Sequence, residues 1–224
     1  MLTAAARHYA LGMSSRAYRL KTDEGAVAGV RRIAAGRAEN ALERLRGIGE
    51  GELAAAIHGA RKDLKKLRSV LRLVRKELDK KAFKAEKQRY RHAARLLSGS
   101  RDAEVKLETL LALCHRFDDL PRSTASRWEG MLETERDELA AAMRDESEGR
   151  IARAIDTIEG GQEAIGQWPL RADSWALVRS GLAKSYRDGR RAMKRALADP
   201  AAENVHEWRK RAKDLWYQLR ILRE

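Results

Sequence analysis

The chain has 224 residues, 43% of them apolar and 36% charged, so it can bury a core without disulfides. Its 47 Lys and Arg residues outnumber 33 Asp and Glu residues, and the net charge of +14 favours nucleic acid, polyphosphate or an anionic membrane surface as partner. We find no apolar run of about 18 residues and no apolar signal segment, so we expect neither membrane insertion nor export. The single Cys114 excludes an internal disulfide and favours the cytoplasm.

The composition predicts an all-α protein, because helix-forming residues dominate and there are only three prolines. Residues 1–22 are predicted to be an N-terminal tail or linker, and Asp23 is expected to cap the first helix. The apolar periodicity then predicts helices over residues 23–46, 52–78, 81–97, 101 to the turn at 118–121, 123–146, 148–165, 172–198 and from 202 onwards.

The segment between Pro121 and Pro169 is the acidic part of the chain, and its pattern predicts two helices. Trp128 and Met131 lie on an apolar stripe and are expected to be core residues. The pair at residues 160–161 is Gly-Gly in a helical context, which predicts a helix end or kink and not a phosphate-binding loop.

The pattern of residues 58–76 predicts an amphipathic helix with one apolar and one cationic face. A row of cations about 20 Å long matches a linear anion, because each helical residue advances the chain by about 1.5 Å. Arginine can place two N–H groups on phosphate oxygens, lysine adds a compact charge, and histidine adds a directional donor. All three residue types occur on this face: His58, Arg61, Lys62, Lys65 and Arg72.

The same five residue types recur at the same spacing 148 residues later: His206, Arg209, Lys210, Lys213 and Arg220. The helix before each motif aligns at this offset without a gap, which indicates an internal duplication. We therefore predict a two-sided site for a long anion on internally duplicated antiparallel four-helix bundles with pseudo-two-fold symmetry. Within a domain of residues 23–224, the first bundle is predicted over 23–120 and the second over 121–224.

The second copy reaches Glu224 inside an apolar-periodic run, with no glycine or proline to end the helix. The first copy has two further helices, about 40 residues, after its basic helix. From the sequence we therefore expect a truncated second bundle that lacks its last helices, unless a partner chain supplies them.

The basic faces also allow other interpretations. A charge run is most often a solvated helix surface, although solubility alone does not account for two matching copies. His58 and His206 could meet as metal ligands, but the surrounding cations disfavour a divalent ion, and we predict no metal site. The chain has no glycine-rich phosphate loop or nucleophile–base pattern, and residues 133–137 lack the Glu-x-Glu-x-Lys pattern of tunnel-type triphosphatases. We expect no enzyme activity and no cofactor.

These motifs resemble the CHAD family, the conserved histidine α-helical domain. The resemblance covers about residues 27–224 and rests on HGARKDLKKLRSVLRLVRK, RDAEV, SYRDGRRAMKRAL and VHEWRKRAKDLWYQLRIL, in this order. It implies two four-helix bundles about a pseudo-two-fold axis that bind inorganic polyphosphate in a basic central groove or pore. It also implies association with polyphosphate granules, and many members are fused behind a triphosphate-tunnel (CYTH) domain.

Carried over by position, the resemblance implies polyphosphate contacts from all ten motif residues. Secondary candidates come from the helix before each motif: Arg31, Arg37, Tyr186, Arg187, Arg190 and Lys194. One alternative is an RNA- or other nucleic-acid-binding helical protein, although aromatic residues are only 5% of the chain and Trp216 is expected to pack internally. A second alternative is an accessory domain of a phosphoanhydride-processing enzyme.

Overall fold

The computed structural model describes residues 17–49, 52–98, 100–117, 121–171 and 173–223, so most of the predicted N-terminal tail lies outside the described residues. The described residues form seven helices and no strand, which confirms the all-α prediction. In chain order the helices are α1 Ala26–Arg46, α2 Leu53–Leu73, α3 Lys80–Leu96, α4 Ser100–Arg116, α5 Arg122–Gly166, α6 Ala176–Ala198 and α7 Ala202–Ile221. None of the described helices is both long and apolar enough to cross a membrane.

The start of α1 differs from the prediction. Gly25 occupies the N-cap position, so the assignment of Asp23 as the cap is wrong. The backbone N–H of Val27 instead donates to Asp173 Oδ1 over 2.7 Å. A carboxylate distant in sequence therefore satisfies a free N–H at the helix start, which local sequence patterns do not reveal.

The acidic segment forms one helix of 45 residues, α5, and the prediction of two helices is wrong. No proline interrupts the segment after Pro121, and the expected break at Gly160-Gly161 is absent because both glycines lie inside α5. A Cβ atom at Gly161 would lie 2.7 Å from the Tyr90 hydroxyl oxygen, so this glycine allows α3 and α5 to pack closely. Helix α5 also packs against α1 and α4.

The main core lies between α1, α2, α3 and the C-terminal part of α5. The predicted stripe of α1 is buried, from Val30 to Leu45. Each fully buried leucine or isoleucine contributes about 1.5–3 kcal/mol relative to an exposed one. The prediction that Trp128 and Met131 are core residues is wrong, because their exposed fractions are 45% and 63%. Periodicity identified an apolar stripe but not whether another helix covers it.

Helices α6 and α7 form a second helix pair that repeats α1 and α2. A shift of 148 residues carries α2 onto residues 201–221, one residue from the observed start of α7. The pair packs against α2, and a Cβ atom at Gly181 of α6 would lie 1.9 Å from the Leu73 carbonyl oxygen. The repeat of a helix pair is thus observed, whereas the grouping into two four-helix bundles stays a prediction.

Residues 17–25 lie against α2 and α7, the two helices that carry the basic motifs. The Tyr18 hydroxyl donates to the Lys66 carbonyl of α2 over 3.4 Å, and the Leu20 N–H donates to the Ile221 carbonyl of α7 over 2.8 Å. Burial raises the pKa of Tyr18, so its hydroxyl stays protonated and acts as a donor. This segment therefore joins α2 to the end of α7.

Candidate functional site

The two helices that carry the duplicated basic motifs, α2 and α7, pack directly against each other. Ser69 Oγ donates to the Asp214 carbonyl over 3.0 Å, and Gln218 Nε2 donates to the Ser69 carbonyl over 3.3 Å. Ser69 and Gln218 are fully buried, so these polar contacts fix how the two helices cross. Val70, next to Ser69, is the repeat equivalent of Gln218, so the crossing lies close to the predicted symmetry axis.

Close to this crossing lie Lys65 and Lys213, which are equivalent positions of the repeat. Partial burial lowers the pKa of Lys65, and the positive charges of Arg61, Lys213, Arg68 and Arg209 lower it further. The empty site therefore holds cations that repel one another, and an anion between them would relieve that repulsion. We call Arg61, Lys65, Arg209 and Lys213 the central cluster.

The remaining N-terminal members of the motifs lie at the surface. His58 and Lys62 on α2 are exposed, as are His206 and Lys210 on α7. Lys210 Nζ lies 3.8 Å from the Glu207 carboxylate, a weak contact that an incoming anion can replace. These four residues extend the cationic faces from the central cluster towards the helix starts.

The last cation of each motif already has a partner within the protein. Arg72 forms an ion pair with the Asp214 carboxylate, and burial lowers the pKa of Arg72. Arg220 stacks on Trp216, with 4.9 Å between its Cζ atom and the ring centroid. The expectation that Trp216 packs internally is wrong: it is 50% exposed, and the neighbouring Tyr217 is the buried ring.

Of the six secondary candidates, two are held inside the protein. Arg37 is 6% exposed and pairs with Asp63 over 3.1 Å, while Arg31 Nη2 donates to the Trp168 carbonyl over 2.7 Å. These contacts tie α1 to neighbouring segments, so we leave both arginines out of the proposed site. The other four lie exposed on α6: Tyr186, Arg187, Arg190 and Lys194.

Further cations lie near Arg72, and among them Lys87 and Arg91 of α3 do not belong to either sequence motif. Burial lowers the pKa of Lys87 on α3, and the charges of Arg91, Arg72, Arg211 and Arg68 lower it further. Lys87 and Arg91 are one helical turn apart, so their i, i+4 spacing could have been recognised from the sequence as a cationic pair on one helix face. Helix α3 packs against α2, which brings this pair within electrostatic range of Arg68 and Arg72.

The chemistry of this surface is that of an anion receptor. Its groups supply N–H donors and positive charge, and clustered cations bind a polyanion with release of its counterions. Such binding weakens steeply as salt increases. Within the part of the chain that the structure describes, no three His, Cys, Asp or Glu side chains are grouped so as to hold a metal ion.

Comparison with known proteins identifies the family. The family model described as CHAD domain matches residues 32–224, a range that contains every residue of both motifs. No curated protein and no solved structure matches the chain. Because the matched range covers most of the chain, this protein belongs to the CHAD-domain family.

Proposed function

We propose that this protein is a binding module for inorganic polyphosphate, which lies along the facing cationic surfaces of α2 and α7. The observation that carries the proposal is the central cluster on two motif helices that pack directly against each other, with a hydrogen bond from Ser69 to Asp214. The charge of Lys213 lies near enough to lower the pKa of its repeat equivalent, Lys65. Membership of the CHAD family adds support, because the resemblance of the motifs implies this ligand.

A linear anion suits this surface better than a single phosphate group does. The α2 motif runs from His58 to Arg72, about 20 Å along the helix, and α7 adds an equivalent row. If about six to ten cations contact phosphate, affinity should fall by roughly 10³–10⁵-fold between about 50 and 200 mM salt. The same contacts predict a binding role without turnover; hydrolysis of polyphosphate in the presence of Mg²⁺ or Mn²⁺ would contradict that part.

The direct test replaces His58, Lys65, His206 and Lys213 together by Ala. All four residues reach the surface and none belongs to the apolar core, so we expect the variant to keep its helical circular dichroism spectrum and to lose retention on immobilised long-chain polyphosphate. The matched control replaces two exposed histidines and two exposed arginines elsewhere: His92, His115, Arg116 and Arg127. If the fourfold variant and the control are retained equally on immobilised polyphosphate, the proposal is wrong.

Exposed aromatic rings beside the second motif favour single-stranded RNA as the second candidate ligand. Trp208 and Trp216 of α7 are 36% and 50% exposed, and exposed rings can stack on nucleotide bases. Competition separates the two ligands. If single-stranded RNA displaces bound polyphosphate at equal phosphate concentration, and Trp216→Ala removes that competition, RNA is the better assignment.

A further inference from the structure

A second cationic surface lies outside the central cluster, in an open groove of about 680 Å³ between the C-terminal end of α2 and helix α6. Its charged lining residues are all basic: Arg75, Lys76, Arg179, Lys184 and Arg187. No carboxylate among the described residues lines it. Its volume falls within the range of about 300–1,000 Å³ that is usual for ligand sites. We call it the α2–α6 groove.

Most of these cations have no counter-charge of their own. Lys76, Arg179 and Arg187 are exposed, and none forms an ion pair with another described residue. Arg75 stacks on Phe83, with 5.5 Å between its Cζ atom and the ring centroid. Lys184 pairs with Asp188 over 3.1 Å. The groove therefore carries excess positive charge that an anion can neutralise.

Backbone packing fixes the shape of this groove. The contact between Gly181 and the Leu73 carbonyl leaves no room for a side chain, so α6 meets the end of α2 at backbone distance. Leu177 and Val178 are each 1% exposed and anchor the same turn of α6 in the core. Arg179 is therefore presented from a rigid part of the fold and not from a loop.

The groove adjoins a small cavity that reaches the end of the α2 motif. A small cavity of about 20 Å³ shares Arg75 and Lys184 with the groove and is also lined by Arg72 and Arg211. Arg72 is the last cation of the α2 motif, so basic residues lead from the central cluster to the groove. Lys65 and Arg75 are ten residues apart, and Arg75 lies two residues past the end of α2, so the separation is about 15 Å at a rise of about 1.5 Å per residue.

Two carboxylates, Asp188 and Asp214, line this small cavity. Each is already paired with a cation, Asp188 with Lys184 and Asp214 with Arg72. Each of these ion pairs is close to neutral. The remaining residues between the central cluster and the groove are basic, so the net charge there stays positive and does not repel a polyanion.

We propose that the α2–α6 groove is a second subsite for a linear phosphate polyanion, which passes from the central cluster along the C-terminal half of α2 into the groove. This inference rests on the proposed function. Only a chain that spans about 15 Å contacts both places, so the groove should strengthen the binding of long chains and leave that of pyrophosphate unchanged.

The test reverses three groove charges together: Lys76→Glu, Arg179→Glu and Arg187→Glu. The control makes the same change of net charge on α4 and α5, which do not line the groove: Arg116→Glu, Arg127→Glu and Arg153→Glu. Long-chain polyphosphate and pyrophosphate are titrated into each protein over a series of salt concentrations. Relative to the control, the groove variant should bind long chains at least about tenfold more weakly, with a salt slope smaller by about 2.

Pyrophosphate affinity of the groove variant should stay within about twofold of the control. Equal affinity of the two variants for long chains, or an equal loss for both ligands in the groove variant, overturns the second subsite. Neither result affects the proposed function, which fails only if the fourfold Ala variant of the central motifs binds normally. If the triple variant loses helicity, the single Arg179→Glu variant replaces it. Its expected change in the logarithm of affinity for long-chain polyphosphate is about a third of that of the triple variant.

Discussion

Helices α2 and α7 are copies in sequence, but their apolar sides have different surroundings. Ile57 and Leu71 of α2 are at most 3% exposed, whereas the equivalent Val205 and Leu219 of α7 are 43% and 49% exposed. Helices α1 and α3 cover α2, while α6 is the helix that packs most closely on α7. The copies therefore share the cationic face and differ in the burial of the apolar face, so packing alone does not account for the shared cations.

The two copies also differ in their acidic residues. The position of Gly59 in α2 is taken by Glu207 in α7, and that of Lys66 by Asp214. Glu207 pairs with Arg211 over 2.7 Å, and Asp214 pairs with Arg72. Asp214 therefore neutralises a motif cation of α2, whereas Glu207 lies beside the cations of α7. We expect Glu207 to lower the contribution of α7 to polyphosphate affinity.

The largest expected effect concerns the buried ion pair of the first copy. Asp63 is 3% exposed and accepts from Arg37 over 3.1 Å, so Asp63→Asn leaves a buried guanidinium without its carboxylate. We expect a loss of about 3–5 kcal/mol in the free energy of unfolding, measured by urea denaturation. At the equivalent position of the second copy, Arg211→Gln should cost no more than about 1 kcal/mol. Similar losses in both variants would show that the copies are equally buried.

A matched pair of leucines tests the same difference in the apolar faces. Leu71→Ala should lower the free energy of unfolding by about 2–5 kcal/mol, because it leaves a cavity in a closed core. Leu219→Ala, at the equivalent position, should change it by no more than about 0.5 kcal/mol. A large loss for Leu219→Ala in denaturant unfolding contradicts the exposure of α7.

A smaller effect is expected from the acidic residue that only α7 carries. Glu207→Gln removes a carboxylate beside Lys210 and Arg211, so polyphosphate affinity should rise about two- to fivefold at low salt. In the α2 copy, Gly59→Glu would introduce a contact with Arg44 as well, so Asn204→Gln on α7 is the cleaner control. If titrations show unchanged polyphosphate affinity for Glu207→Gln, the Glu207 carboxylate does not compete with polyphosphate for the cations of α7.

The smallest effect concerns pH. The pKa of Lys65 is lowered by partial burial and then by neighbouring cations, so Lys65 loses its proton at lower pH than an ordinary lysine does. Affinity for polyphosphate should therefore begin to fall at a lower pH than the pKa of an ordinary lysine would give, and Lys65→Arg should delay that fall. The free protein should gain stability over the same range, because its unfolded state binds more protons. Identical alkaline profiles for both proteins contradict this role of Lys65.

The sequence predicted the parts of this structure that depend on periodicity and repetition. The starts of α2 and α7, predicted at residues 52 and 202 and observed at Leu53 and Ala202, follow from two amphipathic helices at a constant offset. The predicted end of α2 at residue 78 is wrong, because a turn over residues 74–77 follows Leu73 and periodicity alone does not reveal it. The exposure of Trp216 could not be predicted, because periodicity shows which side is apolar but not what covers it. The pairing of Arg72 with Asp214 depends on the crossing of two distant helices, which no local pattern specifies.

The central claim is that both copies form one site, and the stoichiometry of binding tests it most directly. Calorimetric titration with polyphosphate chains of defined length should give one chain per protein, and Lys65→Ala and Lys213→Ala should each weaken that single binding event. Two chains per protein, with each substitution removing only one of them, would show two independent surfaces and contradict the account.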